Sequence, residues 1–207
     1  DLIRFLGYFS GKKRSLDDYF GLKTSRKEIF DQIYLLESRI LSEPPIFKKE
    51  GPFYEISLLS RELGKYFDEH TLGYQAVPWH LLDTPEKKET YFSWYFFRNG
   101  AVSDEFCKGK LAPRIIFSIK KNHEFGEELA VLLFKLGLLP GINRDKVEIG
   151  DYADLKTILD HGWCIDSEKR LRLEKILKEM PPKEDKFTPQ DVLSLIQKAK
   201  GGKITWN

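Results

Sequence analysis

The order of predicted elements in this chain runs through once and then starts again. That duplication limits the folds open to it more than any single motif does. Residues 2–11, LIRFLGYFSG, are apolar nearly all round, which predicts a helix buried on several sides. Asp17–Thr24 alternates, with Phe20 and Leu22 on one face and Tyr19, Gly21 and Lys23 on the other, as a strand does. Ser25, with Glu28 three residues on, has the form of a capping box. Ile29, Ile33, Leu36 and Ile40 follow at helical spacing until Pro44-Pro45. Ile46–Lys49 and Phe53–Leu59 flank a Glu50-Gly51-Pro52 turn and predict a β-hairpin. Ser60 to Phe67 predicts a short helix.

The second pass opens at Asp83-Thr84-Pro85-Glu86, with Thr84 as cap and Pro85 in the first turn. Its helix runs through YFSWYFFRNG to Gly100. Ala101–Phe106 and Arg114–Lys121 predict two strands. Asn122 caps a helix over Phe125, Leu129, Leu132, Leu133 and Leu136, and Gly137 ends it. Ile142–Arg144 and Lys146–Ile149 form a hairpin around Asp145, Asp151 opens a helix, and another runs from Ser167 to Glu179. The first pass has only a short KKRS segment where the second has an extra strand. Pro181-Pro182 begins a charged linker, and Thr188-Pro189 starts a last helix. The expected domains are 1–82, 83–180 and a C-terminal appendage, 181–207.

Composition excludes several classes. Two cysteines, Cys107 and Cys164, make neither a disulfide framework nor a thiolate zinc site, and both read as structural thiols. The four histidines, His70, His80, His123 and His161, have no metal-ligand spacing. Trp79 and His80 read as a hydrophobic staple before the following helix. No apolar run approaches the roughly 18 residues of a membrane helix, and no membrane partner is expected. A net charge of +2 excludes a globally basic binder but not a local basic patch. Abundant Lys and Glu with a single Met suggest a thermostable protein, and the expected compartment is cytoplasmic.

Two segments, FLGYFSGKK (Phe5–Lys13) and YFSWYFFRNGAVS (Tyr91–Ser103), resemble the signature helices of a single-chain LAGLIDADG homing endonuclease. The lead-in at Val77–Glu89 resembles intein-borne members. The resemblance implies an α+β fold of duplicated αββαββα halves with pseudo-two-fold symmetry. It implies signature helices packed side by side, each ending in a metal-binding acid, and a saddle of sheets over duplex DNA. Laid on the signature, Lys12 takes the first acidic position and Asn99 the second. An ammonium repels a divalent cation and a carboxamide is a weak neutral ligand, so cleavage by the family's mechanism is not expected. Gly7 and Gly11 suit close helix crossing, but the matching Trp94 and Arg98 are large. Asp17 and Asp104, five residues beyond the replaced positions, read as solvated strand-end aspartates.

The expected function is therefore nucleic-acid binding without cleavage. The candidate contacts are Lys12, Lys13, Arg14, Tyr19, Lys23, Lys48, Lys49, Arg114, Ser118, Lys120, Arg144 and Lys146. On the Arg114 strand, Ile115, Phe117 and Ile119 share one face, and Arg114, Ile116, Ser118 and Lys120 the other. Basic and short polar side chains on a sheet face can meet phosphates and base edges. Double-stranded DNA is the first expected partner and structured RNA the second. No cofactor is expected. Two alternatives stand beside this one. One is an active endonuclease with displaced acids, which would need Mg²⁺, and the other is a protein-interaction module. A degenerate LAGLIDADG-like domain joined to a helix-turn-helix, as in the WhiA regulators, is a precedent of type.

Overall fold

The computed structural model describes residues 1–10, 19–41, 45–59, 61–71, 76–104, 106–107, 110–119, 122–180 and 190–194. The chain divides into two units, Asp1–Arg98 and Asn99–Asn207.

In the first unit, α1 (Leu2–Phe9) buries five consecutive residues, Phe5 to Phe9, as its all-round apolarity requires. The long helix α4 (Pro85–Asn99) buries Tyr91, Phe92, Ser93, Tyr95, Phe96 and Phe97. The two cross at Gly7, where a Cβ would lie 2.3 Å from the Tyr91 carbonyl oxygen. The expected side-by-side packing is therefore present. The large residues on α4 do not hold the helices apart, because they turn along the contact. Trp94 meets Tyr8 edge-on at 6.4 Å, and the Arg98 guanidinium lies over Tyr8 and Phe9 at 4.5 and 4.7 Å.

Strands β1 (Tyr19–Thr24), β2 (Ile46–Glu50) and β3 (Phe53–Leu59) make an antiparallel sheet in the order β1-β3-β2. Helix α2 (Lys27–Ile40) covers one face, with Phe30 against Phe47 and Tyr54 at 4.9 and 5.1 Å. Its start differs from expectation. Arg26 occupies the N-cap with no side-chain cap bond, and the Arg26 N–H donates instead to the Thr24 hydroxyl at 3.1 Å. The strand's last threonine closes the turn before Ser25 can act. Helix α3 (Arg61–Thr71) runs one turn past Phe67. A 3-10 turn, Trp79–Leu81, precedes α4, and the Lys87 N–H donates to Thr84 Oγ1 at 3.3 Å.

In the second unit, β4 (Gly100–Ser103), β7 (Arg114–Ser118), β8 (Gly141–Asn143) and β9 (Lys146–Ile149) form an antiparallel sheet in the order β4-β7-β9-β8. A two-stranded ribbon, β5 (Phe106–Cys107) and β6 (Lys110–Leu111), lies between β4 and β7 in sequence. The strand expected over Ala101–Phe106 thus breaks after Ser103, where Asp104 bonds the Arg172 guanidinium of α7 (Ser167–Glu179). Helix α5 (His123–Lys135) is capped by Asn122, which accepts the Phe125 N–H at 3.1 Å, and is ended by Gly137 at φ +83. Asp151 caps α6 (Tyr152–Asp160), accepting the Ala153 N–H at 3.0 Å. Cys164 is buried, which pushes its thiol up to about 12 and leaves it a structural group.

The duplicated order is visible along the chain. The series α1, β1, α2, β2–β3, α3 matches α4, β7, α5, β8–β9, α6, and both β1 and β7 pair with the second hairpin strand. The place corresponding to β4 falls in residues 11–18, outside the described residues. Residues 190–194 are helical, within the expected last helix. Among the described residues, no helix is long and apolar enough to cross a membrane.

Helix α7 shows how firmly one cap sets an element. Asp166, 2% exposed, accepts the N–H groups of Glu168 and Lys169 at 3.0 and 3.2 Å. Asp166→Ala removes both and should cost about 1–2 kcal/mol. Urea unfolding of the variant measures that cost, and an unchanged midpoint would refute the cap's role.

Candidate nucleic-acid interface

Strand alternation sorts the second sheet into two faces. Ile115, Phe117, Val147 and Ile149 are fully buried. The ladder pairs Ile116 with Glu148 and Ser118 with Lys146, and across the hairpin Asn143 with Lys146. These residues face away from the core, as expected for Arg114, Ile116 and Ser118. Ile116, Ser118, Asn143, Arg144, Asp145 and Lys146 line a shallow groove. Arg144 is exposed in the hairpin turn, where its backbone N–H donates to Asn143 Oδ1 at 2.8 Å.

Glu148 sits at the centre of this face. Arg114 Nη1 lies 2.5 Å and Lys146 Nζ 2.8 Å from its two carboxylate oxygens. Partial burial opposes ionisation of Glu148, but the hydrogen bonds from Lys146 and Arg114 outweigh it and hold the carboxyl below its usual range. Two of the expected cations are thus already engaged, while Arg144 has no ion pair among the described residues.

The first sheet differs in which acid its cations meet. Glu55 stands between Lys23 and Lys48 in the ladder, as Glu148 stands beside Ile116 on β9. Lys23 and Lys48 turn to Glu50 at 3.4 and 3.9 Å, and Lys23 lies 5.5 Å from the Phe53 ring. Tyr19 is placed opposite Leu59. Lys49 departs from expectation. It is exposed, but it pairs with Tyr54 and so belongs to the α2 side of the sheet, where its ammonium lies 5.5 Å from the Tyr54 ring. Adjacent strand residues point to opposite faces, so Lys48 and Lys49 cannot serve one surface. Lys12, Lys13, Arg14, Asp17 and Lys120 lie outside the described residues.

Asn99, half-buried, ends α4 beside Arg98, whose guanidinium fills the space over Tyr8 and Phe9. A guanidinium and a carboxamide do not fit a divalent hard cation, which wants several anionic oxygens. Among the described residues, no group of three or more His, Cys, Asp or Glu side chains could hold a metal ion. Asp104 is held by Arg172, and that hydrogen bond keeps its carboxyl below the usual range, as for a solvated ion pair.

Comparison with solved structures decides the fold. The homing endonuclease I-DmoI, in complex with DNA and Ca, superposes with a TM-score of 0.52 at 16% identity, covering 76% of this chain and 86% of that one. The fold is LAGLIDADG-like. Full-length DUF199/WhiA from Thermatoga maritima superposes with a TM-score of 0.55 at 11% identity, covering 97% of this chain and 66% of that one. The N-terminal LAGLIDADG domain of DUF199/WhiA gives 0.50 at 12% identity, covering 84% and 85%. No family model and no curated protein sequence matches the chain. The LAGLIDADG-like fold agrees with the two signature segments and the duplicated order.

The histidines were missed by sequence reasoning. His70 and His80, ten residues apart, come together with His80 Nε2 at 2.8 Å from His70 Nδ1. His80 therefore packs on another imidazole rather than serving only as a staple.

Proposed function

We propose that this chain binds duplex nucleic acid, DNA first, through the exposed faces of its sheets, without cutting it. The observation that carries this reading is the groove on the second sheet, lined by Ile116, Ser118, Asn143, Arg144, Asp145 and Lys146. Its support is the LAGLIDADG-like fold, which I-DmoI uses in a complex with DNA. A guanidinium and an ammonium at the groove's rim suit phosphates, and a hydroxyl and a carboxamide suit base edges. Within the first unit, Lys23 and Lys48 are the cations on the sheet face away from α2.

The signature alignment supports a binding role over a nuclease role. Laid on the signature, Lys12 and Asn99 fall where the family carries its acids, and Arg98 brings a further cation to the α4 end. Purified chain with Mg²⁺ or Mn²⁺ should leave a duplex intact. Metal-dependent cutting that disappears in Asp17→Ala or Asp104→Ala would restore the endonuclease reading.

Each phosphate contact on a duplex contributes about 0.9 to the slope of log affinity against log salt. An Arg144→Ala protein should therefore lose roughly one from that slope, since Lys146 is already paired with Glu148. Fluorescence anisotropy with a labelled 30-base-pair duplex, between 50 and 200 mM salt, reads this directly. An unchanged slope, or no binding by the parent chain at the lowest salt, would overturn the proposal. The second outcome would favour a protein partner, for which Ile46 and Phe53, at 61% and 42% exposure on the sheet face away from α2, supply apolar contact area.

A further inference from the structure

We propose that His70 and His80 form a two-imidazole site for a divalent transition-metal ion, tying the end of α3 to the 3-10 turn ahead of α4. The site lies wholly within the first unit and is independent of the sheet faces.

The geometry comes from the fold and not from sequence spacing. His70 lies in the last turn of α3 and His80 in the Trp79–Leu81 turn. His80 Nε2 and His70 Nδ1 are 2.8 Å apart, with ring centroids at 4.7 Å. The Tyr66 ring packs edge-on against His70 at 4.2 Å and backs one imidazole. His80 is exposed, so an ion reaches the pair from solvent without opening the core.

In the bare protein the two facing nitrogens share one hydrogen. A metal needs both lone pairs, so the ring that donates must change tautomer, moving its proton through solvent to its far nitrogen. No proton is lost and no redox partner is needed. Metal–imidazole distances of about 2.0–2.1 Å with a tetrahedral spread place the two nitrogens roughly 3.3 Å apart. The rings must part by only about half an ångström, which an exposed side chain allows.

No third His, Cys, Asp or Glu joins the pair among the described residues, and the Asp83 carboxylate is engaged by Lys87 at 2.7 Å. Water completes the shell. Imidazole ligation with water selects copper, nickel and zinc over manganese, and excludes magnesium and calcium, which want oxygen.

The test uses the untagged 207-residue chain and Ni²⁺ or Zn²⁺ in competition with a chromophoric chelator. One ion per chain is expected. His70→Gln and His80→Gln should each weaken binding at least tenfold, whereas His123→Ala should not. The same ion should raise the thermal midpoint of the parent and leave both Gln variants unmoved. Equal affinity in the parent and His80→Gln, loss of binding on His123→Ala, or no ion bound by the parent at millimolar metal would each overturn the proposal. If circular dichroism shows that His70→Gln fails to fold, the exposed His80→Gln decides the outcome.

Discussion

Unfolding free energy of the parent chain should fall by on the order of 3–5 kcal/mol as the pH rises from about 5 to 8, and Glu37→Gln should abolish that slope. Glu37 on α2 is fully buried, and neither of its carboxylate oxygens has a hydrogen-bond partner among the described residues. Burial pushes its carboxyl from 4.5 up to about 8, and the Arg98 charge only partly opposes the rise. The folded chain therefore keeps the proton that the unfolded chain releases above 4.5. Stability conferred by that proton is complete below the unfolded value and is lost as the pH climbs to the folded one. Arg98 from α4 and Tyr8 from α1 face Glu37, and neither titrates in this interval, since burial and Glu37 raise Tyr8 to about 12. The carboxyls held low, Asp83, Glu86, Asp104 and Glu148, act below it. Urea titrations at a series of pH values, followed by tryptophan fluorescence, measure the slope. Parallel profiles for parent and variant would disprove the assignment.

The duplication itself explains why this carboxylate is unusual. With Leu36 laid on Leu132, Glu37 falls on Leu133, which is fully buried on α5. One copy keeps an apolar residue there, and the other carries an acid facing Arg98. That acid was legible in principle, since it lies in the helical stripe beside Leu36. The expected stripe of Ile29, Ile33, Leu36 and Ile40 is rotated in the structure to Phe30, Ile33, Leu36 and Glu37. An apolar pattern assigns a face by its hydrophobic members and passes over a charged one.

Other parts of the molecule were legible for definite reasons. Helix α7 spans Ser167–Glu179 as expected, and α5 lies between an Asn cap and a glycine at positive φ, because those residues act locally. The two faces of β7 follow from alternation, and the same parity could have separated Lys48 from Lys49. The His70–His80 contact was not legible. It depends on where α3 ends and on how the chain returns to the 3-10 turn, and ten residues of separation encode neither. The pairing of Arg114 and Lys146 with Glu148 depends on strand register across the sheet, which fixes which charges become neighbours.

Gly7→Ala should destabilise the chain by about 3 kcal/mol or more, although alanine in a helix interior is ordinarily better than glycine by about 1 kcal/mol. The added Cβ would lie 2.3 Å from the Tyr91 carbonyl oxygen and 3.2 Å from Trp94 Cβ. The first obstacle is helix backbone and cannot rotate away, so α1 must move off α4 and loosen the aromatic contacts of Tyr8 with Trp94 and Phe97. Gly126 on α5 supplies the control. A Cβ there meets Ile119 Cδ1 at 2.4 Å, the far end of a flexible side chain, which can swing aside. Gly126→Ala should therefore lie within about 1 kcal/mol of the parent, with the helix-propensity gain offsetting the repacking. Urea midpoints of the two variants compare the sites under one chemistry. Gly7→Val should go further and leave little folded protein, since its loss would consume much of the roughly 5–15 kcal/mol available to a domain. A Gly7→Ala protein as stable as Gly126→Ala would show that the helices do not meet at this residue, and the close crossing that the first signature segment implies would have to be placed elsewhere.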